Sequence, residues 1–361
     1  MRIFASSIVM MFVALVAWGD TSIFWLNPTH DFGAFKEDSG KVTCVFKGVN
    51  IADCDISIVN ARATCGCTTP KYAYKSFAPG DTISVAVSYD PSGRPGRFSK
   101  KVYITNSHDE NKSELMIKGV VIGNSVTLQS RYPVECGKVR LQSDMLNMGE
   151  LSKGVDKGMY VTAYNQTVDT ILPTIGNLPS YIQASIIPTA IPPGEQATIA
   201  IHLLGRECDK WGPINDVISF TPDKGEEAHE VKIIANILQN FSKMTPGQRM
   251  NAPKVVFDSD RVNLGSLNRN GEKVSVEAVI KNEGKDALEI YRAYTIANGV
   301  DVKLDKNKVK GGKSAKIFVT FDPSQYKGEV INEEIIFVVN DPSNPQARLR
   351  IVGELKLGIE S

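Results

Sequence analysis

Two cysteines separated by one glycine, Cys65 and Cys67, are the residues whose type and spacing most directly suggest chemistry. Two thiolates could supply half the ligands of a Cu(I) or Zn(II) ion, which would need further cysteine or histidine ligands. The four histidines are scattered singly, with no pair at ligand spacing. A redox role is not favoured, because the two cysteines lack the Cys-X-X-Cys spacing of thiol oxidoreductases. We therefore predict a structural turn or disulfide and no cofactor, with a metal or redox site as the alternative.

The N-terminus has the features of a signal peptide. Met1-Arg2 is a short positive region, and Ile8–Ala17 is a run of ten apolar residues. This run is too short to span a hydrocarbon core, which needs about 20 residues. Small residues at Ala17 and Gly19 predict cleavage before Asp20, so that residues 1–19 are removed. We expect an exported chain, periplasmic, outer-surface or secreted, without a membrane span after cleavage; an uncleaved anchor is the alternative.

An exported chain with six cysteines can form disulfides. We do not expect Cys65 to bond to Cys67, because so small a ring strains the preferred geometry. A bridge from Cys44 or Cys54 to this loop stays open and would stabilise the fold by about 2–4 kcal/mol. A hairpin with its turn near residues 50–53 would make a bridge between Cys44 and Cys54 doubtful.

The second predicted domain contains only two cysteines, Cys136 and Cys208. Two cysteines in one exported domain are candidates for a disulfide with each other. We therefore predict a bridge between them.

The elements that position these cysteines belong to a repeat of 116 residues. Gly33, Gly149 and Gly265 are spaced by this interval, and so are three alternating apolar segments that begin near Ile83, Ile199 and Ala315. Alternation with a period of two predicts β-strands, and the constant offset preserves their inward face. Short strands separated by turns about every ten residues indicate an antiparallel sandwich.

We predict an all-β chain of three tandem immunoglobulin-like antiparallel β-sandwiches. The predicted domains are residues 20–124, which contain the cysteine motif, 125–240 and 252–361. Residues 241–251 are polar, include Pro246-Gly247 and are predicted to be a linker. Residues 61–81 would then form the crossover between the two sheets of the first domain.

Four segments of the first domain resemble a known family: HDFG at 30–33, ATCGCT at 63–68, APGD at 78–81 and YDPSGRPGRFSKKVYITN at 89–106. Together they resemble bacterial domain-of-unknown-function family 1573, marked by a Cys-Gly-Cys-Thr signature. That family is similar to the PapD-like and ASPM–SPD-2–Hydin group of immunoglobulin-like domains. The resemblance implies an exported or envelope-associated protein without an assigned enzymatic activity, and it supplies no catalytic residues.

No catalytic motif occurs in the sequence, which lacks a Gly-X-Ser-X-Gly elbow, a phosphate-binding glycine loop and a dinucleotide fingerprint. The balance of 41 basic and 40 acidic residues gives no reason to expect a nucleic-acid partner. Tyr72 and Tyr74 would share one face if extended, either as a small interaction surface or, more simply, packed on the sandwich. We predict a non-enzymatic structural or protein-interaction protein of the cell envelope.

Such a protein would bind unidentified protein partners through sandwich edges or loops. The third domain is the first candidate for an edge of this kind. Its segment Lys303–Val309 is charged and could guard one edge, while Ile335–Val339 is strongly β-forming. A metal- or redox-active envelope protein that uses Cys65 and Cys67 is the alternative function.

Overall fold

The computed structural model describes residues 22–108 and 112–356. The predicted signal peptide, residues 1–19, lies outside the described residues. The described chain is all-β and contains six sheets. These sheets face one another in pairs, and each pair encloses its own cluster of buried apolar side chains. No helix within the described ranges is long and apolar enough to span a membrane.

The first sandwich pairs a four-stranded sheet, in the order β1-β3-β7-β5, with a five-stranded sheet, in the order β2-β9-β8-β4-β6. Its strands are β1 (Ile23–Trp25), β2 (Thr29–Lys36), β3 (Val42–Asn50), β4 (Ile56–Ala63), β5 (Thr68–Tyr72), β6 (Ser76–Phe77), β7 (Thr82–Tyr89), β8 (Gly96–Asn106) and β9 (Ser113–Ile122). The predicted hairpin between β3 and β4 is wrong, because β3 pairs with β1 and β7 whereas β4 pairs with β6 and β8. The chain crosses from one sheet to the other between these two strands.

The second sandwich follows a short helix, α1 (Ser125–Gln129). Its sheets have the orders β10-β11-β13-β16-β15 and β12-β18-β17-β14. The strands are β10 (Val134–Cys136), β11 (Val139–Leu141), β12 (Met145–Ser152), β13 (Lys157–Asn165), β14 (Thr174–Gly176), β15 (Ile182–Ile187), β16 (Gln196–Leu203), β17 (Gly212–Thr221) and β18 (His229–Leu238).

The third sandwich follows α2 (Pro246–Asn251), a short helix inside the predicted linker. Its sheets have the orders β19-β21-β25-β23 and β20-β27-β26-β22-β24. The strands are β19 (Val255–Phe257), β20 (Arg261–Asn268), β21 (Val274–Asn282), β22 (Leu288–Tyr294), β23 (Val300–Leu304), β24 (Lys308–Val309), β25 (Ser314–Phe321), β26 (Val330–Val339) and β27 (Gln346–Lys356).

The repeat of 116 residues has a structural cause at its glycines. Gly33, Gly149 and Gly265 adopt φ of 67°, 65° and 70°, a region that favours glycine. Each interrupts the register of a strand pair, β2 with β9, β12 with β18 and β20 with β27. The sequence pattern predicted antiparallel sandwiches, whereas these three strand pairs are parallel.

Both junctions between neighbouring sandwiches carry specific contacts. The Glu37 carboxylate of the first sandwich accepts hydrogen bonds from the Asn124 N–H and the Thr127 hydroxyl at the start of the second. At the other junction the rings of Trp211 and Tyr291 stack, with centroids 3.9 Å apart. Arg292 also donates to the backbone carbonyl of Trp211 at 2.9 Å.

Candidate functional site

Cys65 and Cys67 lie in the turn that connects the two sheets of the first sandwich. The strand before the turn, β4, ends at Ala63 in the five-stranded sheet, and β5 begins at Thr68 in the four-stranded sheet. This segment is therefore a crossover between sheets, as the sequence predicts. The turn is anchored at both ends, because Thr64 N–H donates to the Lys101 carbonyl and Asp90 N–H donates to the Cys67 carbonyl.

The structure joins Cys65 and Cys67 in a disulfide, so the expectation that they would not bond to each other is wrong. Their Cα atoms are 5.3 Å apart, within the range found in ordinary disulfides. Two residues of extended chain would span roughly 7 Å. The turn at Gly66 shortens this span and brings the two sulfur atoms within bonding reach.

The disulfide packs onto the sandwich instead of lining an open cleft. Cys67 contacts the hydrophobic core of the first sandwich, and the neighbouring Thr68 is buried. The Thr68 hydroxyl lies 3.4 Å from the Cys65 sulfur, and the Thr68 N–H donates to the Cys65 carbonyl. A disulfide offers no thiolate, so in this state the pair does not provide the metal ligands considered above.

The other four cysteines are free. The predicted bridge between Cys136 and Cys208 is absent, because the two residues lie towards opposite ends of β13. Cys136 and Val139 form a turn beside Asn165, at one end of β13. Leu203, which precedes Cys208, pairs with Lys157 at the other end. Nine residues of strand separate these ends by about 26 Å.

The cysteines are expected to fall into three groups by the reactivity of their sulfur atoms: exposed thiols, buried thiols and the disulfide-bonded pair. Cys54 is exposed, whereas Cys44, Cys136 and Cys208 are buried. Burial raises the pKa of the Cys44 thiol to about 11 and that of Cys136 to about 12, so their thiolate forms are scarce at neutral pH.

Alkylation of the native chain in the presence of a metal chelator, trapped directly from cells and read by peptide mass spectrometry, is therefore expected to modify Cys54 alone. Unfolding without a reductant should add Cys44, Cys136 and Cys208. Reduction should be needed before Cys65 and Cys67 react. If Cys65 reacts in the native, unreduced chain, the disulfide assignment is wrong.

The two tyrosines after the crossover have different environments. Tyr72 is half-buried on β5 and packs against the core, while Tyr74 is 87% exposed. Their ring centroids are 4.9 Å apart. Burial raises the pKa of the Tyr72 hydroxyl, and its contact with Tyr74 adds to that shift. Tyr72 thus has the packing role that the sequence favours, and Tyr74 is left as the outward ring of the pair.

Most of the longer sheet edges carry a feature that discourages pairing with another chain. The edge strands β2, β12 and β20 are interrupted by the bulges at Gly33, Gly149 and Gly265. Edge strand β5 contains Pro70, which has no N–H to donate. Edge strand β23 carries Asp301 and Lys303, which form an ion pair.

The position of Lys303–Val309 fits its predicted role in protecting a sheet edge. The segment contains the end of β23 and all of β24, which are the last strands of the two sheets of the third sandwich. Ile335–Val339 does not lie at an edge. It belongs to β26, which is paired on both sides by β22 and β27. The third sandwich therefore offers no exposed strand at that segment.

One edge strand, β15, has none of these guards. Its six residues, IQASII, include no charge, proline or glycine, and its pairing with β16 is regular throughout. Ile182 and Ile186 are buried in the core of the second sandwich and hold the strand in place. Gln183, Ser185 and Ile187 point outwards from the sheet and are exposed.

The register identifies which backbone groups of β15 face away from the sheet. Leu204 N–H donates to the Tyr181 carbonyl, so these residues form a hydrogen-bonded pair. In an antiparallel ladder such pairs alternate with residues whose N–H and C=O groups point outwards. Ala184 and Ile186 therefore present their backbone groups to the free edge. The sequence alone did not identify this strand as a candidate. Its lack of charges, proline and glycine is informative only once its position at a sheet edge is known.

Two family models match separate parts of the chain. Residues 253–354 match the family described as "HYDIN/CFA65/VesB-like, Ig-like domain", which identifies an immunoglobulin-like sandwich. Residues 23–121 match the family described as "Protein of unknown function (DUF1573)". The resemblance and the all-β immunoglobulin-like fold predicted from the sequence are thus confirmed. Both matches fit a non-catalytic protein. No curated protein matches the chain.

The solved structures that match the chain have low sequence identity and low structural similarity to it. A protein of unknown function from Porphyromonas gingivalis W83 is 18% identical, with a TM-score of 0.45, over 61% of this chain and all of that one. The YadV chaperone is 12% identical, with a TM-score of 0.21, over 59% of this chain and 99% of its own. Protocadherin gamma B2 cadherin domains 1–5 are 13% identical, with a TM-score of 0.25, over 94% and 60%.

Proposed function

We propose that this chain is an exported, non-catalytic protein of the bacterial cell envelope that binds a protein partner through a sheet edge. The observation that carries this proposal is β15, a regular six-residue edge strand without a guarding charge, proline or bulge. An exposed strand of this kind can pair with an extended segment of another protein, which adds one strand to the sheet.

Export is supported by the N-terminal sequence features and by the disulfide between Cys65 and Cys67. Disulfides persist in oxidising compartments such as the periplasm and the cell surface. The alternative, a metal- or redox-active protein that uses these cysteines, has less support. Their sulfur atoms are bonded to each other, and Cys67 packs against the core.

Backbone pairing supplies affinity in strand addition, while pockets for alternate side chains supply specificity. The outward backbone of Ala184 and Ile186 would pair with the incoming strand, and Gln183 and Ser185 would flank it on the exposed face. The exposed side chain of Ile187, 66% accessible, offers an apolar contact at the end of the strand. The partner would thus be an extended, uncharged segment of an envelope protein that carries both polar and apolar side chains.

Two changes at β15 should strongly reduce partner capture from envelope extracts while leaving the fold intact. Ala184→Pro removes an outward N–H without breaking the ladder to β16, and Ser185→Lys adds a charge at the edge. We expect either change to reduce the amount of captured partner at least about 10-fold, which corresponds to 1.4 kcal/mol.

The matched control is Gln196→Lys, which adds a charge on the same face of the sheet but on the interior strand β16, beyond the residues that pair with β15. This variant should capture the partner as the wild type does. Equal capture by all variants, or loss with Gln196→Lys as well, would rule out the β15 edge as the binding site. Circular dichroism of each variant confirms that it remains folded.

A further inference from the structure

Three side chains with metal-binding atoms converge on the first sandwich, away from the Cys65–Cys67 crossover. They are the Asp53 carboxylate, the Cys54 thiol and the His108 imidazole, and their ligand atoms all lie within 4.8 Å of one another. Cys54 and His108 are 54 positions apart in the sequence. The fold joins them because the loop between β3 and β4 meets the end of β8.

We propose that Asp53, Cys54 and His108 form a zinc-binding site. They offer one sulfur, one nitrogen and one oxygen donor, each of a type that zinc accepts. Ordinary zinc–sulfur and zinc–nitrogen distances in a tetrahedron place those two ligands about 3.5 Å apart. The Cys54 Sγ and His108 Nδ1 atoms are 3.5 Å apart. All three residues are exposed, which leaves the fourth position open to water.

The backbone that carries two of the ligands is fixed by buried asparagines. The Asn50 side chain is buried and donates to the Cys54 carbonyl at 2.9 Å. The Asn106 side chain is also buried and accepts from the His108 N–H at 2.8 Å. Metal ligands held by hydrogen bonds to their surroundings lose less freedom on binding, which favours affinity. The site therefore requires little movement beyond rotation of three exposed side chains.

The same distance between Cys54 and His108 would also suit a thiol–imidazole hydrogen bond without a metal. The two arrangements differ in their need for Asp53, whose carboxylate is a ligand only in the zinc site. They also differ in spectroscopy, because cobalt(II) bound to a thiolate gives a charge-transfer band that a hydrogen-bonded pair cannot give. Both differences can be measured on the whole chain.

The experiment measures zinc affinity of the full chain by competition with a chromophoric chelator. The background carries Cys65→Ser and Cys67→Ser, so that a reductant can protect Cys54 without releasing a second pair of thiols. We expect one zinc ion per chain. Cys54→Ser, His108→Gln and Asp53→Asn should each weaken binding by about 100-fold or more, since even outer-shell partners contribute 10–100-fold.

Two substitutions of the same types serve as controls. Asp55→Asn changes an exposed carboxylate two residues away that accepts from Ser76 and lies outside the cluster. His30→Gln removes a histidine that packs edge-on against Phe32. Both should bind zinc normally and keep the cobalt band, which should disappear with Cys54→Ser. The proposal is overturned if zinc does not bind stoichiometrically, or if Asp53→Asn binds it as tightly as Asp55→Asn.

Discussion

Replacement of Asn282 by alanine is expected to destabilise the third sandwich by about 3 kcal/mol. The Asn282 side chain is 1% exposed and lies at the end of β21. It donates to the carbonyls of Asp286 and Val309, and it accepts from the Gly284 N–H. Alanine would leave these backbone groups without partners, and each unsatisfied buried group costs about 1–3 kcal/mol.

Asn282→Asp is the sharper variant, because it keeps the size and the accepting oxygen but loses both donations. It should also be strongly destabilising. The control is Asn332→Ala on β26, an exposed position where the cost should stay within about 0.5 kcal/mol. Urea unfolding, with hydrogen exchange to assign the transition to residues of the third sandwich, measures the effect. A cost for Asn282→Ala no larger than that of Asn332→Ala would contradict this role.

The same asparagine recurs in the other two sandwiches. Asn50 donates to the carbonyls of Cys54 and Phe77, and Asn165 donates to those of Asp169 and Ile191. The intervals from Asn50 to Asn165 and from Asn165 to Asn282 are 115 and 117 residues, one residue either side of the glycine repeat. A search at a fixed interval of 116 residues therefore passes over them, although a tolerance of one residue would have found them.

The parts of the fold that follow from local pattern could be predicted. Alternation fixed the inward face of strands such as β7 and β25, and the repeated glycines indicated three equivalent units. The prediction of a crossover at Cys65 and Cys67 was also correct, because the turns locate the ends of the strands on either side. The strand and crossover inferences depend on residues close together in the sequence, where steric preferences act directly.

The remaining features depend on which strands become neighbours. A hairpin between β3 and β4 was expected from their proximity in sequence, but both strands find partners farther along the chain. Likewise, Ile335–Val339 has the composition of any β-strand, and only its pairing on both sides shows that it is interior. The cluster of Cys54 and His108 was missed for the same reason, since their contact is created by the tertiary fold.

The second large effect is expected at Glu37, which connects the first two sandwiches. Its carboxylate is buried and accepts from the Gly93 N–H at 2.6 Å, the Asn124 N–H at 3.1 Å and the Thr127 hydroxyl at 2.9 Å. Hydrogen bonds to charged groups contribute about 1.5–3 kcal/mol each, although not additively. Glu37→Ala should therefore cost about 3 kcal/mol and increase hydrogen exchange at Asn124 and Thr127.

A surface carboxylate provides the comparison. Glu114 forms an exposed ion pair with Lys101, and pairs of this kind contribute about 1 kcal/mol or less. Glu114→Ala should thus have a small effect on unfolding and none on exchange at the junction. If the two substitutions cost the same, Glu37 does not hold the junction together.

The contribution of Glu37 should also depend on pH in a defined direction. Burial alone would raise the pKa of Glu37, but the hydrogen bonds from Gly93, Asn124 and Thr127 outweigh it and hold the pKa below its ordinary value. A carboxyl whose folded-state pKa is lowered stabilises the fold fully above its unfolded-state pKa, about 4.3. That stability is lost as the pH falls through the lowered folded-state pKa.

Comparison of the wild type with Glu37→Gln tests this dependence, because glutamine is nearly the same shape and does not titrate. The difference in unfolding free energy should be constant from neutral pH to about pH 5 and should shrink at lower pH. A difference that stays constant down to about pH 3 would show that the charge of the Glu37 carboxylate does not strengthen its hydrogen bonds to Gly93, Asn124 and Thr127. Packing would then hold the junction together.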